Sequence, residues 1–299
     1  GTAGSLIWSL GNQHGAIRVY NVLKNFYDVA VVHNGKTYLW DAVNCTGETC
    51  VLDKSSLTVK FPGISSVHTY VYPSNGVAGT VSGSPVGSQT YKNDQAVFTN
   101  LGNGIYDVKI VQGAMIKIVD NVVVLGGNAV LENIVANLTV DFPGISSVHT
   151  YVKTDDGIAG FGGGDVASST YKNNGTTITL LKGYYDVKVV KGAQANIYDK
   201  VDCRSGTCSI TNIVAMLTIK FPGMTSVHNY VKVPDGIDNL ATGGAVDERT
   251  YQNNETSLAV LKGYYDVKLV KGSDSYIYDN VDCTGDTCTL DKATLTVKF

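Results

Sequence analysis

Apolar and polar residues alternate over short stretches of this chain, and the alternating stretches recur. In Leu57-Thr58-Val59-Lys60-Phe61 the residues Leu57, Val59 and Phe61 share one face. In Tyr185-Asp186-Val187-Lys188-Val189 the residues Tyr185, Val187 and Val189 point one way, while Asp186 and Lys188 point the other. A period of two over five to eight residues predicts half-buried β-strands. Turn words separate them: Pro62-Gly63, Asn75-Gly76, Asp156-Gly157, Lys191-Gly192, Asp235-Gly236 and Lys271-Gly272. Abundant Val, Ile, Thr and Tyr, with 33 Gly, fit pleated sheets joined by turns.

The stretches are copies of one another. The opening strand recurs as Leu57-Thr58-Val59-Lys60-Phe61-Pro62-Gly63, Leu138-Thr139-Val140-Asp141-Phe142-Pro143-Gly144 and Leu217-Thr218-Ile219-Lys220-Phe221-Pro222-Gly223. It returns as Leu295-Thr296-Val297-Lys298-Phe299, without Pro-Gly. A second word occurs four times, around Tyr27-Asp28-Val29, Tyr106-Asp107-Val108, Tyr185-Asp186-Val187 and Tyr265-Asp266-Val267. A period close to eighty residues predicts tandem units. The expected boundaries are an incomplete β-sandwich over 1–56, complete repeats over 57–137, 138–216 and 217–294, and a terminal strand over 295–299. Six or seven short strands per unit suit a small sandwich.

The word Leu180-Leu181-Lys182-Gly183-Tyr184-Tyr185-Asp186-Val187-Lys188-Val189, with its near-copy at 260–269, resembles the L-x-x-G-x-Y-x-V-x-V corner of extracellular transthyretin-like, Cna-B-type β-sandwiches. The resemblance implies an all-β chain of tandem Ig-like or transthyretin-like sandwiches. Such families sometimes carry a Lys–Asn isopeptide staple. The matching lysines would be Lys60, Lys220 and Lys298, but Asp141 stands there in one unit, which argues against a staple common to all units.

The six cysteines fall into three C-x4-C pairs: Cys45/Cys50, Cys203/Cys208 and Cys283/Cys288. The second unit has Val124 and Ala129 instead. Losing both members to apolar residues suits a local disulfide across a hairpin better than a metal site, with zinc and free thiols as the weaker alternatives. Disulfides predict an oxidising, extracellular setting or a hyperthermophile.

Net charge is -3 with mixed signs, and only 16% of residues are charged. No basic patch predicts nucleic-acid binding, and no apolar run is long enough for a membrane span. The 18 Tyr raise a polysaccharide-stacking alternative. His68, His149 and His228 recur in a Ser-Val-His word without a recurring acid or nucleophile, which favours surface histidines over catalysis. Asp155, Asp156, Asp235 and Asp238 lie near glycine turns, but no EF-hand series is present, so plain turns are expected and no metal or cofactor is assigned. Asn44, Asn137, Asn174 and Asn254 head glycosylation sequons. No G-x-S-x-G, H-E-x-x-H or P-loop word occurs, and no enzyme activity is expected.

The pattern predicts a use for the terminal strand. The first unit reads as a sandwich without its opening strand, and residues 295–299 read as that strand. The chain is therefore expected to form an extracellular, pilus-like homopolymer. Leu295, Thr296, Val297, Lys298 and Phe299 of one copy would enter an acceptor region with Leu6, Trp8, Leu10, Phe26 and Val29 of the next. The alternative is a monomeric or ring-closed surface adhesin that binds polysaccharide.

Overall fold

The computed structural model describes residues 23–33, 36–47, 50, 52 and 54–291, and every regular element among them is a β-strand. Strands β1 (Phe26–His33) and β2 (Lys36–Asn44) form an antiparallel pair. Seven strands follow: β3 (Ser55–Phe61), β4 (Val67–Pro73), β5 (Gly87–Lys92), β6 (Asp94–Leu101), β7 (Gly104–Gln112), β8 (Met115–Val124) and β9 (Asn128–Leu131). The next seven are β10 (Val135–Phe142), β11 (Val148–Thr154), β12 (Asp165–Lys172), β13 (Asn174–Leu181), β14 (Tyr184–Lys191), β15 (Gln194–Asp202) and β16 (Thr207–Ile210). The last seven are β17 (Val214–Phe221), β18 (Val227–Lys232), β19 (Ala245–Gln252), β20 (Asn254–Leu261), β21 (Gly263–Lys271), β22 (Asp274–Cys283) and β23 (Thr287–Asp291).

Each set of seven makes one three-stranded and one four-stranded sheet. The orders are β6-β3-β9 with β5-β4-β7-β8, β13-β10-β16 with β12-β11-β14-β15, and β20-β17-β23 with β19-β18-β21-β22. These are three sandwiches on one plan, and the chain is an all-β protein of tandem sandwiches. Contacts divide it into two compact units: residues 1–112 with 116–134, and residues 113–115 with 135–299.

Within the second unit two sandwiches abut without a linker. The Ala193 N–H at the tip of the β14–β15 hairpin donates to Ala245 O at 2.9 Å, and Asn196 Nδ2 donates to Lys262 O at 3.0 Å. Gly192, at a φ of +56°, makes this approach feasible, since a Cβ there would lie 2.4 Å from the Ala245 oxygen. Leu261, at the end of β20, is sealed into the core of the preceding sandwich.

The core follows the alternation. In β10 the residues Leu138, Val140 and Phe142 are buried against Ile178, Tyr185, Val187 and Val189 from both sheets. The Phe-Pro-Gly word that ends each opening strand forms a turn. Ile64 N–H donates to Phe61 O at 3.1 Å, and Gly63 has a φ of +80°. Proline second and glycine at positive φ third define a type II turn.

The tyrosine of the second word anchors its own corner. Its hydroxyl donates to the carbonyl four residues earlier: Tyr106 to Gly102 at 2.7 Å, Tyr185 to Leu181, and Tyr265 to Leu261. Tyr27 repeats this with Leu23 at 2.5 Å. This is the tyrosine corner of β-sandwiches. Burial pushes the phenols of Tyr185 and Tyr265 up, so they stay protonated donors. The register shift between Tyr27 and Val29 recurs between Tyr185 and Val187 and between Tyr265 and Val267. Strands β1 and β2 are therefore the counterparts of β14 and β15.

Two sequence expectations change. Asp186 shares with Lys188 the face opposite Tyr185 and Val187, the polar side of β14, yet it is 0% exposed, because the loop over 155–164 returns across it. The C-x4-C segments were read as hairpin turns, yet β15 and β16 do not pair with each other. They lie in opposite sheets, as do β22 and β23. The segment is an arch between layers, because β16 finds its hydrogen-bond partner in β10.

Candidate assembly site

The opening strand takes the same place in every sandwich. It is the central strand of the three-stranded sheet, antiparallel to one neighbour and parallel to the other. Leu138, for example, stands opposite Ile178 on β13 and Cys208 on β16. Its inward residues are sealed: Leu57, Val59, Phe61, Leu138, Val140, Phe142, Leu217, Ile219 and Phe221 are all 0% exposed. Burying each such side chain contributes about 1.5–3 kcal/mol. The outward residues are polar. Lys60 meets Glu132 at 3.4 Å and Lys220 meets Asp291 at 3.6 Å, both as exposed pairs. A sandwich without this strand would have an apolar slot with an unpaired backbone edge on both sides.

Residues 295–299, which repeat this strand in sequence, lie outside the described residues, as do Leu6, Trp8 and Leu10. Phe26 is 58% exposed, and its counterparts Ile105 and Tyr264 are also exposed, at 45% and 50%. Tyr184, at the same position, is half-buried with Arg204 over its ring, so exposure at this position varies with the neighbours and does not mark a groove. Val29 differs. It is half-buried, whereas Val108, Val187 and Val267 at the same position are completely buried.

Three disulfides join Cys45 to Cys50, Cys203 to Cys208 and Cys283 to Cys288. The second and third tie the end of one strand to a strand of the opposite sheet. Where Val124 and Ala129 replace the pair, Val124 is fully buried and packing holds the same arch. Beside the Cys203–Cys208 arch, Arg204 grips Asp202 through Nε and a terminal nitrogen, at 2.9 and 2.8 Å. Those side-chain bonds, with the Arg204 backbone N–H, hold the Asp202 carboxyl down at about 2.

The three recurrent histidines sit half-buried on the outer face, each beside tyrosine. His68 meets Tyr91 at a ring separation of 4.5 Å, His149 meets Tyr171 at 4.4 Å, and His228 stacks on Tyr230 at 4.3 Å. His228 also reaches Glu248 at 2.9 Å, a contact without an equivalent in the other two sandwiches. Tyr91, Tyr171 and Tyr251 are each more than 70% exposed and each has a φ of +54°. In each sandwich an exposed tyrosine ring lies beside the histidine.

Two sequon asparagines have a backbone task. Asn174 and Asn254 have φ near +65°. Their side-chain oxygens accept the N–H of Gly144 and Gly223, at 2.9 and 3.0 Å. Asp94 does the same for Gly63 at 2.8 Å, so a carboxylate fills the position equally well. Asn44 accepts from the Thr46 hydroxyl at 2.7 Å, and Asn137 accepts from Thr179 at 3.1 Å.

No family model matches the sequence, and no curated protein does either. Among solved structures the chain is similar to the Bacillus anthracis TIE protein, with 14% identity over 80% of this chain and a TM-score of 0.20. It spans half the length of that protein. It is also similar to BcpA, the major pilin subunit of Bacillus cereus, with 10% identity over 80% of this chain and 99% of that one at a TM-score of 0.20. A third is the tip fimbrial protein Mfa3 from Porphyromonas gingivalis, with 11% identity, 70% and 99% coverage, and a TM-score of 0.23. Scores of this size leave the architecture to be argued from the strands themselves, and these make it a tandem β-sandwich protein.

Proposed function

We propose that this chain is a structural, non-enzymatic subunit of an extracellular, pilus-like filament, assembled head to tail by donation of residues 295–299. One observation carries the reading. The segment repeats β3, β10 and β17, each a central strand with every inward residue sealed. Leu295, Val297 and Phe299 correspond to Leu57, Val59 and Phe61. The last sandwich already holds β17 in that slot. The unit around β1 and β2 is the acceptor, and half-buried Val29 supports it. Backbone pairing on both sides supplies affinity, and alternate apolar knobs supply register. The contact is heterologous, so copies add end to end into an open filament unless the rotation closes a ring. Three disulfides suit an oxidising exterior.

Electron microscopy of the full chain beside the 295–299 deletion and Val297→Asp tests this reading. Fibres are expected only from the full chain, with the sandwiches over 55–291 still folded in both variants. Long fibres from either variant would overturn it.

The exposed Tyr91, Tyr171 and Tyr251 favour a second reading, a polysaccharide-binding surface arm, monomeric or closed on itself. Single particles from the full chain, retained on immobilised polysaccharide and released by Tyr→Ala changes, would establish it.

A further inference from the structure

In every sandwich the aspartate of the Tyr-Asp-Val word is buried beneath the loop that follows the second strand. These are Asp107, Asp186 and Asp266, exposed by 1%, 0% and 1%. One oxygen of each accepts a backbone N–H from a bulge residue of the neighbouring strand, namely Asn121, Lys200 or Asn280, at 3.0 Å each time. In two sandwiches the loop supplies a donor to the other oxygen. Asn75 N–H reaches Asp107 at 2.9 Å, and Asp235 N–H reaches Asp266 at 3.0 Å. Asp186 Oδ2 is fully enclosed and has no donor. A buried carboxylate oxygen without a partner is costly.

The loop brings more negative charge to Asp186 instead. One oxygen each from Asp155, Asp156 and Asp186 lies within 4.8 Å of the other two. The position of Asp155 is Ser74 in the sandwich before and Pro234 in the one after, so the triad occurs in one sandwich. The position of Asp156 is Asp235 in the last sandwich, where Oδ2 is occupied by the Thr242 N–H and hydroxyl at 2.7 Å each. Gly162 replaces that threonine and its hydroxyl, and lets Asp156 Oδ2 come so near that a Cβ would lie 2.3 Å away. None of the three carboxylates forms an ion pair among the described residues. Lys153, near the end of β11, turns to Asp165 at 3.9 Å and to the Phe161 ring at 4.8 Å. Burial pushes the Asp186 carboxyl upward, and Asp155, Asp156 and Asp199 push it further.

Two ligands on opposite sides of Ca²⁺ stand about 4.6–5.2 Å apart, and on opposite sides of Mg²⁺ about 4.0–4.2 Å. The three oxygens lie within 4.8 Å of one another, inside the span of a calcium shell, and calcium's irregular all-oxygen coordination suits loop and strand carboxylates better than magnesium's strict octahedron. We propose that Asp155, Asp156 and Asp186 hold a calcium ion that ties the loop over 155–164 to strand β14. Backbone carbonyls and water complete the shell, as calcium's irregular coordination allows. The ion supplies Asp186 with the second partner that Asp107 and Asp266 receive from a loop amide, and it offsets the repulsion among the carboxylates. With only three protein carboxylates the site belongs with extracellular calcium modules, whose Kd is on the order of 10⁻⁴–10⁻³ M.

The test is calorimetric titration of CaCl2 into the chelator-treated full chain, alongside Asp155→Ser/Asp156→Asn. That double variant copies Ser74-Asn75 of the preceding sandwich, a loop this fold already accommodates. Wild type is expected to bind one Ca²⁺ per chain, with a thermal midpoint that rises with CaCl2 concentration. The variant is expected to bind at least tenfold more weakly and to lose that rise. Asp156→Asn alone serves as a second, milder variant with the same expectation. Absence of saturable Ca²⁺ binding by wild type up to 10 mM, binding undiminished in the variants, or preference for MgCl2 would each overturn the assignment.

Discussion

The sandwich over 55–131 and the sandwich over 135–210 share their strand order, their tyrosine corner and their sealed opening strand, yet they close the same arch differently. One uses Val124 against its surroundings, and the other uses Cys203–Cys208. The last strand of each pairs in parallel with the opening strand within the three-stranded sheet, at Leu57↔Ala129 and Leu138↔Cys208. What recurs is the part that fixes backbone geometry. What varies is the means of holding two layers together, where dispersion and a covalent bond are interchangeable. The covalent version constrains only a short loop, five residues in separation, so its advantage over good packing is modest.

The shared element should therefore be the harder to damage without consequence. Val59→Asp and Val140→Asp place an unpaired charge in equivalent sealed positions, and each should cost its own sandwich about 3 kcal/mol or more. Calorimetry and limited proteolysis should show equal damage in the two. A mild effect in one would mean that the strand is not equally central in both. The variable element should be exchangeable. Cys203→Ser/Cys208→Ser should lower the stability of its own sandwich by about 2 kcal/mol, while reductant leaves the sandwich over 55–131 unchanged. Conversely, Val124→Cys/Ala129→Cys should form a bridge there and raise its thermal midpoint, which differential scanning calorimetry would register. The smallest effect belongs to Arg204. Its grip on Asp202 is exposed, so Arg204→Ala should leave the midpoint unchanged within error. The grip is still measurable by titration. Asp202 is held at about 2, below its unfolded value, so its small contribution is present above the ordinary carboxylate range and is lost as pH falls toward 2. NMR titration should return Asp202 to that ordinary range in Arg204→Ala.

The sequence made visible whatever depended on neighbours along the chain. Alternation at Leu57, Val59 and Phe61 announced a buried face, and repetition of Tyr-Asp-Val announced a recurrent corner. It concealed whatever depended on a return from elsewhere. Asp186 alternates with Tyr185 and Val187 as a solvent residue would, and only the loop over 155–164 folding back across it shows otherwise. For the same reason Asp155 and Asp156 read as a turn until Asp186 lay beneath them. The C-x4-C word looked like a hairpin because its flanking strands are adjacent in sequence, but β16 pairs with β10, some seventy residues back. The acceptor residues Leu6, Trp8 and Leu10 and the donated strand remain part of the proposed assembly, tested by the fibre experiment above.

In each sandwich the first and last strands are neighbours that run parallel, as in Asn137↔Thr207 through Val140↔Ile210. A sandwich pulled by its two ends is therefore loaded along those strands and not across them. Every bond of that ladder must slide at once, whereas a hairpin pulled at its open end would give way one bond at a time. Units built this way resist tension by shear. A chain of them would hold under traction that would unzip a sheet of the same area with antiparallel ends.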